Sequence, residues 1–558
     1  MRKAMLASLT VTVICVCTNP AIALRWPTNA GVRVQSMGNA TLGIEDETTA
    51  LTIFNHQNVA GRAFDEKKNR LDYGLNYYSQ DWKLDFPTSE WELKYGDIGA
   101  GRPGGEYQGL ACWLDENTVV QASVEGSAKY ISDRSASSAG EWTDQLKSYL
   151  YGGGISAAYK LDIGLALGAA VSYLGANAKP DSLLGSFNLA SVMWMPGGMI
   201  LAGATTTKFE VASSDLYWRT ALAYEVKNLG GDDKLTLGLG VSGEDTSPGF
   251  GVDAGTYLVA SADILGSYNG TVVLEGNDPV LGDVSSKRTL TQMPVVVDAE
   301  AIYDLGGWLS AGLLFDYLMN EYHRKVEYQG FDALAPSARP VNTDQKTKAL
   351  QQWGITPVVR GKIAVAEDVV LLPGLSYSTW GSGNGEYFLH DPTFADPNAT
   401  YKNSTSVTNS GSFAVGIGVQ TLGKQFQGAL QYENSASKSE TERYDLDGNS
   451  LGKTSSEGGI INNFRVGAEF LPIPELAVRA GYALLQTTYK DGAMDNDGNV
   501  VDLKLYTGRI SAGVGAYIIE GMNLDLLVIV DNKYSEPKSS PEPQESLVNI
   551  LLGVHMEL

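Results

Sequence analysis

The sequence predicts an all-β fold: a transmembrane antiparallel β-barrel of roughly 14 to 18 strands with an N-terminal hatch inside the lumen. Three observations predict it. From Ser546 the chain alternates, with Val548, Ile550, Leu552, Val554, Met556 and Leu558 on one face and Asn549, Gly553, His555 and Glu557 on the other. Side chains of a strand project with period two, so one face can meet lipid while the other lines a polar lumen. From Leu71 on, hairpins with short near turns alternate with long far connections, the asymmetry of bacterial outer-membrane barrels. Finally, 63 Gly and 28 Tyr, with 43% apolar residues and a mean hydropathy of −0.11, suit a wall in which only alternate residues are apolar.

Residues 1–23 read as a secretory signal peptide. Arg2 and Lys3 precede an uncharged stretch from Ala4 to Cys17, and Ala21, Ile22 and Ala23 form a small-x-small cleavage site. Removal of the signal takes away two positive charges, so the formal net charge of −23 becomes −25. A chain this acidic is a poor nucleic-acid binder. Cys15 and Cys17 leave with the signal, without a convincing lipobox before either. Cys112 is then alone, and no intrachain disulfide is expected.

Residues 24–66 are read as the hatch. Gly31 to Ala60 carries small residues, the acidic Glu45, Asp46 and Glu47, and no sustained period of either wall strand or amphipathic helix.

Residues 67–558 are read as the barrel with long extracellular loops. One hairpin pairs Phe464, Val466, Ala468 and Phe470 with Leu476, Val478, Ala480, Tyr482 and Leu484 through a turn at Pro472, leaving Asn463, Arg465, Glu469 and Arg479 to point inward. The next places Ile510, Ala512, Val514, Ala516 and Ile518 outward with Leu524, Leu526, Val528 and Val530, and Arg509, Ser511, Tyr517, Asn523, Asp525 and Asp531 inward. Compact turns fall near Asp115, Leu161, Asn228, Gly306, Glu367, Gly423, Pro472 and Gly521. With both termini periplasmic, these eight turns imply 18 strands. The final strand should then pair with the first, whose Leu71, Tyr73, Leu75 and Tyr77 form a lipid face, and leave no edge exposed.

Most far connections are rich in Asp, Gly, Asn and Ser. Asp445–Asn449 and Asp495–Asn499 read as solvated turns rather than calcium loops, since Ser456 and Tyr506 stand where an EF-hand needs glutamate. Two connections differ. Ala176 to Asp215 carries Leu183, Leu184, Phe187, Leu189, Met193, Trp194, Met195, Met199, Ile200 and Leu201, and Glu244 to Gln292 adds Phe250, Tyr257, Leu258, Val259, Ile264, Leu265, Val272, Val273 and Leu274. That is more apolar surface than a solvated loop should show, and it invites a hydrophobic ligand. A membrane-spanning helix over Ser182 to Thr207 is disfavoured by Asn188, Pro196, Gly197 and Gly198.

The run Met37, Gly38, Asn39, Ala40, followed by Asp46, Ala50, Asn55 and Ala60, resembles the hatch of the long-chain fatty-acid and toluene transporter family of outer-membrane proteins, and residues 462–485 are similar to its C-terminal wall. The resemblance implies a barrel, usually of fourteen strands, with the N-terminal segment folded inside. It further implies that outer loops catch hydrophobic molecules, which pass beside the hatch into the periplasm or sideways into lipid. His56 departs from the family, which has proline there.

On the inward face stand Arg219, Arg360, Lys362, Arg465, Arg479 and Arg509, against Glu225, Asp298, Glu300, Asp316, Glu469 and Asp525. Mutual pairing is the first expectation, because an unpaired buried charge is costly. The sharper alternative has one or two of Arg360, Lys362, Arg465, Arg479 and Arg509 holding a ligand carboxylate. An enzyme is not expected: His56, His323, His390 and His555 are scattered, and none has a serine two residues along the same strand face. The same scarcity argues against a metal centre, and no nucleotide or other cofactor signature is present. The reading is therefore a monomer in the bacterial outer membrane, in contact with its lipid and lipopolysaccharide, that passively takes up hydrophobic small molecules. The alternatives are an interaction or anchor barrel of a protein secretion system, and a general porin.

Overall fold

The computed structural model describes residues 32–37, 40–44, 59–64, 67–86, 89–100, 109–137, 140–182, 205–227, 233–242, 270–278, 281–332, 342–347, 351–390, 400–421, 423, 425–445, 448–494, 500–519, 522–536 and 544–557. Within them, 23 strand segments form one antiparallel sheet. Segments that continue one another across an insertion count as one wall strand: Ser89–Ala100 with Gly109–Trp113, Lys234–Ser242 with Gly270–Asp278, Thr343–Thr347 with Gln351–Gly361 and Ile363–Ala366, and Ser450–Glu457 with Ile460–Ile473. Counted so, the wall has 18 strands. It closes on itself: the first strand, Arg70–Phe86, pairs with the last, Gln544–Glu557, from Arg70 opposite Glu557 to Lys83 opposite Gln544. Closure satisfies the backbone of both terminal strands, the condition for a sheet to lie in hydrocarbon.

The compact turns expected near Asp115, Leu161, Gly306, Glu367, Gly423 and Pro472 fall between consecutive strands at one rim, and those expected near Asn228 and Gly521 lie outside the described residues. Their sequences explain the sharp reversals. The Asp115 carboxylate accepts the Asn117 N–H at 2.7 Å and the Thr118 hydroxyl at 2.9 Å. At the tip between Leu305 and Leu309, Gly306 and Gly307 adopt φ of +52° and +74°, a left-handed conformation for which glycine lacks the steric penalty. The eighteenth strand exceeds the fourteen usual in the family the sequence resembles. The turn count was the better guide.

The outward face is apolar. Tyr73, Leu75 and Tyr77 of the first strand are exposed, as are Ile98, Val124, Ile155, Leu216 and Ile510 around the wall. A soluble sheet would not present this surface, so the wall is that of an outer-membrane barrel. Strand Gly282–Leu305 has 24 residues. At about 3.3 Å per residue and a tilt of about 40°, it rises roughly 60 Å, more than twice the ~25 Å apolar band of such barrels. Much of the barrel therefore stands beyond the bilayer.

Both apolar connections are partly wall, the first at its two ends, where strand Leu165–Ser182 runs past Ala176 and strand Thr205–Lys227 begins ahead of Asp215. Within the connection read from Glu244 to Gln292, Gly270–Asp278 pairs with Thr205–Ser213 on one side and Gly282–Leu290 on the other. Val272, Val273 and Leu274 thus belong to a strand. The cause is an insertion inside a wall strand: the chain leaves after Ser242 and re-enters the same strand position at Gly270.

Candidate functional site

The described pieces of the N-terminal segment lie against the inward face of the wall. Val32–Ser36 forms a short helix beside the strands Leu476–Met494, Val500–Ile519 and Met522–Glu536. The turn Thr41–Gly43 lies against Val369–His390, Thr400–Thr421 and Phe426–Tyr444, and Gly61–Phe64 lies against Gly140–Lys160, Leu165–Ser182 and Thr205–Lys227. The last two contacts are nearly half the wall apart.

Small inward residues make room for it. A Cβ on Gly467 would stand 2.0 Å from the Met37 carbonyl oxygen, one on Gly418 1.7 Å from that of Gly43, and one on Gly168 2.4 Å from the Ala60 nitrogen. Met37, Ala40 and Ile44 pack on Ala429, and Val59, Ala60 and Ala63 on Val119, Ala158, Ala166, Ala221 and Ala223. Leu42 joins Ile302, Leu314, Val358 and Ala414. These apolar contacts remove side chains of both partners from the lumen, each worth on the order of 1–3 kcal/mol when fully buried.

Polar contacts fix the register. Arg33 forks onto Glu469, with Nη2 at 2.6 Å from Oε1 and Nε at 2.9 Å from Oε2, and donates to Gln427 at 2.9 Å. Glu469 also accepts from the fully buried Arg479 at 2.6 Å, and Arg479 contacts Asp525 as well. Gln431 accepts the Leu42 N–H at 3.0 Å, Ser511 donates to the Ser36 carbonyl at 3.1 Å, and Arg360 donates to the Thr41 carbonyl at 3.1 Å. Gln427, Glu469, Arg479, Gly513, Leu527 and Leu551 follow one another in register across six neighbouring strands, so this row runs along one side of the lumen.

Among the five candidate cations, Arg465, Arg479 and Arg509 are held by carboxylates of neighbouring strands. Arg465 pairs with Glu433 at 2.9 Å, Arg509 with Asp531 at 2.7 Å, and Arg479 with Glu469 and Asp525. Arg219 likewise holds Asp298 at 2.7 Å, and Glu225 binds Lys227 and Lys234. Lys362 lies exposed beside the turn strand Ile363–Ala366. Arg360 differs: among the described residues no carboxylate pairs with it, and its Nε is buried without a hydrogen-bond partner.

Met37 and Ala40 are fully buried at the wall. Gly38, Asn39, Asp46, Asn55 and His56 lie outside the described residues, as does the loop cluster Leu183, Leu184, Phe187, Met193, Trp194, Met195, Met199, Ile200 and Leu201. The sequence reading missed Arg33, Gln427 and Gln431. The two glutamines carried a signal, since both fall at inward parity in a strand whose outward residues are apolar.

The fold and lumen define a class: an outer-membrane β-barrel whose N-terminal segment is seated on the inner wall. No protein-family model and no curated protein matches the sequence. Among solved structures, the chain is similar to the alcaligin outer-membrane receptor FauA of Bordetella pertussis, at 9% identity and a TM-score of 0.37 over 88% of this chain and 76% of that one. It is also similar to the toluene transporter TbuX of Ralstonia pickettii, at 13% identity and a TM-score of 0.30 over 95% and 98%. A Pseudomonas aeruginosa FadL homologue matches at 12% identity and a TM-score of 0.31, again over 95% and 98%.

Proposed function

We propose that this protein passively takes up hydrophobic small molecules, long-chain fatty acids or aromatic hydrocarbons, across the bacterial outer membrane, with residues 24–66 acting as a hatch in the lumen. The observation that carries this reading is the seating of residues 33–37, 40–44 and 59–64 on small residues of an 18-strand wall. A barrel of 16–18 strands left empty is an aqueous channel. One with a segment packed across its inner face has its free cross-section reduced, which favours selective passage over a general pore. Binding energy that differs between the seated and shifted states of the segment would drive opening, and none is needed from nucleotides.

In this reading the apolar residues between Leu183 and Leu201 are the first contact for a ligand, and Arg360 is the cation that would receive a fatty-acid carboxylate. Its support is that among the described residues no carboxylate pairs with it, which sets it apart from Arg465, Arg479 and Arg509. The protein would act as a monomer in contact with outer-membrane lipid and lipopolysaccharide. Growth of a deletion strain on long-chain fatty acids or aromatic hydrocarbons, compared with its parent, tests the reading. Slower growth on at least one such compound, restored by the gene, is expected. Unchanged uptake of every hydrophobic compound tried would defeat it and leave an anchor barrel as the better account.

A further inference from the structure

Farther from the compact turns than the seat of the N-terminal segment, the inner wall changes character. Gly416 and Gly418 face the lumen, since a Cβ on either would meet Leu42 or Gly43. Their strand, Thr400–Thr421, pairs with Phe426–Tyr444 without a register shift as far as Ser404, so alternate residues of both keep that face. On it Ser412 stands opposite Ser435, Ser410 opposite Ser437 and Thr408 opposite Ser439, with no charge among the three pairs. Thr408 is satisfied, its N–H by the Ser382 hydroxyl at 3.0 Å and its own hydroxyl by Ser439 at 3.1 Å. The hydroxyls of Ser410, Ser412, Ser435 and Ser437 make no hydrogen bond among the described residues, and all four residues are half-buried.

Trp380, opposite Ser410, adds a second and independent feature. It is 7% exposed, and its indole N–H is buried with no hydrogen-bond partner among the described residues. Such a donor costs free energy unless an acceptor reaches it. Trp380 Cδ1, the atom beside the indole nitrogen, lies 3.8 Å from the point where a Cβ on Gly354 would stand, so the N–H edge borders a position that carries no side chain. Gly354 and Ser410 flank the strand of Trp380 and are two strand spacings apart, roughly 10 Å. One hydroxyl group cannot serve both, whereas a saccharide can.

On the other side, the face turns apolar at the same height. Ile461 stands opposite Ser435, and Leu505 lies two strands further along that rung. Leu485 projects inward between them, two residues nearer the plug than the Thr487 that completes the rung. All three are half-buried.

We propose that this level of the lumen binds a non-ionic amphiphile whose head carries several hydroxyl groups, an alkyl glycoside by chemical class. The head lies on the four serines and accepts from the Trp380 N–H, and the alkyl chain lies on Ile461, Leu485 and Leu505. Each head hydroxyl both donates and accepts, as the serines do, so the pairing needs no counter-charge. A carboxylate head finds no cation among these residues, and a bare hydrocarbon would strip water from the serines and the indole without replacing its hydrogen bonds. The proposal rests on the reading that apolar molecules enter the lumen, and it assigns a head group to one class of them.

The test uses the full chain in proteoliposomes. The probes are radiolabelled octyl β-glucoside below its micellar concentration and 1-octanol, which has the same chain and a single hydroxyl, with protein-free liposomes to correct for partition into lipid. The wild type should retain octyl glucoside about tenfold more tightly than 1-octanol, the effect of one or two net hydrogen bonds. Ser410→Ala combined with Ser437→Ala should bring octyl glucoside down toward 1-octanol and leave 1-octanol unchanged, which separates lost head contacts from a disturbed wall. Trp380→Phe should also weaken octyl glucoside, and Leu505→Ser should weaken both probes. Equal retention of the two probes, or a preference that survives both the serine pair and Trp380→Phe, overturns the site; toluene uptake by the same vesicles then leaves the transport reading standing. No retention of octyl glucoside together with no uptake of toluene overturns both.

Discussion

Replacing Gly467 by valine should unseat the N-terminal segment without breaking the wall. The residue faces the lumen, and its Cβ would stand 2.0 Å from the Met37 carbonyl oxygen, 2.4 Å from the carbonyl carbon and 2.7 Å from Cα. Ordinary contact begins at 3.4 Å, so the segment must retreat by about 1.4 Å for a single methyl and further for the branched side chain. Those three atoms are backbone and cannot rotate aside. Four residues earlier, Arg33 holds Glu469 at 2.6 and 2.9 Å, and a retreat of that size takes both contacts past hydrogen-bonding distance. The wall itself should tolerate the change, because valine suits a strand. Single-channel conductance in planar bilayers reads the outcome. The wild type should conduct poorly, and Gly467→Val should conduct like an open porin of similar strand number. Heat-modifiable migration on gels would confirm that the variant still forms a closed barrel. A folded variant with wild-type conductance would refute the claim that these contacts hold the N-terminal segment across the lumen.

Two further outcomes follow from the polar contacts. Glu469→Gln leaves Arg33 with a neutral partner and takes one of two carboxylates from the buried Arg479; loss of one member of such a network costs about 3–5 kcal/mol. Tryptic cleavage after Arg33, followed by mass spectrometry on proteoliposomes, should accelerate at least tenfold, and an unchanged rate would show that the fork does not hold the segment. In the exposed strand Ser450–Glu457, Lys490 holds the Glu457 carboxyl below its ordinary range through a 2.5 Å contact. A depressed carboxyl pKa stabilises above the unfolded value and loses that effect as pH falls through the folded one. Amide exchange in 450–457 should therefore speed up relative to neighbouring strands on acidification below the carboxylate range, and Glu457→Gln should abolish the difference.

The wall was legible because period-two alternation is enforced wherever one face meets lipid and the other a polar lumen. Val466 and Glu469, or Ile510 and Ser511, are assigned by parity alone. The turns were legible because Gly and Asp are needed where the chain reverses in few residues. The inner face was not legible where it is apolar too. Leu526 to Val530 is an unbroken apolar run, and parity cannot say that Leu527 and Ile529 join Leu551 in a buried inward cluster beside the N-terminal helix. Such a run signals burial on both faces, as in a strand with protein on one side and lipid on the other. The seats of the N-terminal segment were hidden for a different reason. Gly418, Gly467 and Ala166 look like ordinary small barrel residues until the backbone they accommodate is placed against them. Insertions inside wall strands, as after Ser242, erase the turn signal that would mark a strand's true end.

Uptake into proteoliposomes tests the central claim most directly. Vesicles carrying the full-length protein should accumulate radiolabelled oleate or toluene on an internal trap faster than protein-free vesicles, while entry of glucose stays at the protein-free rate. Hydrophobic uptake equal to the protein-free control, or glucose entry as fast as through a general porin, would contradict it.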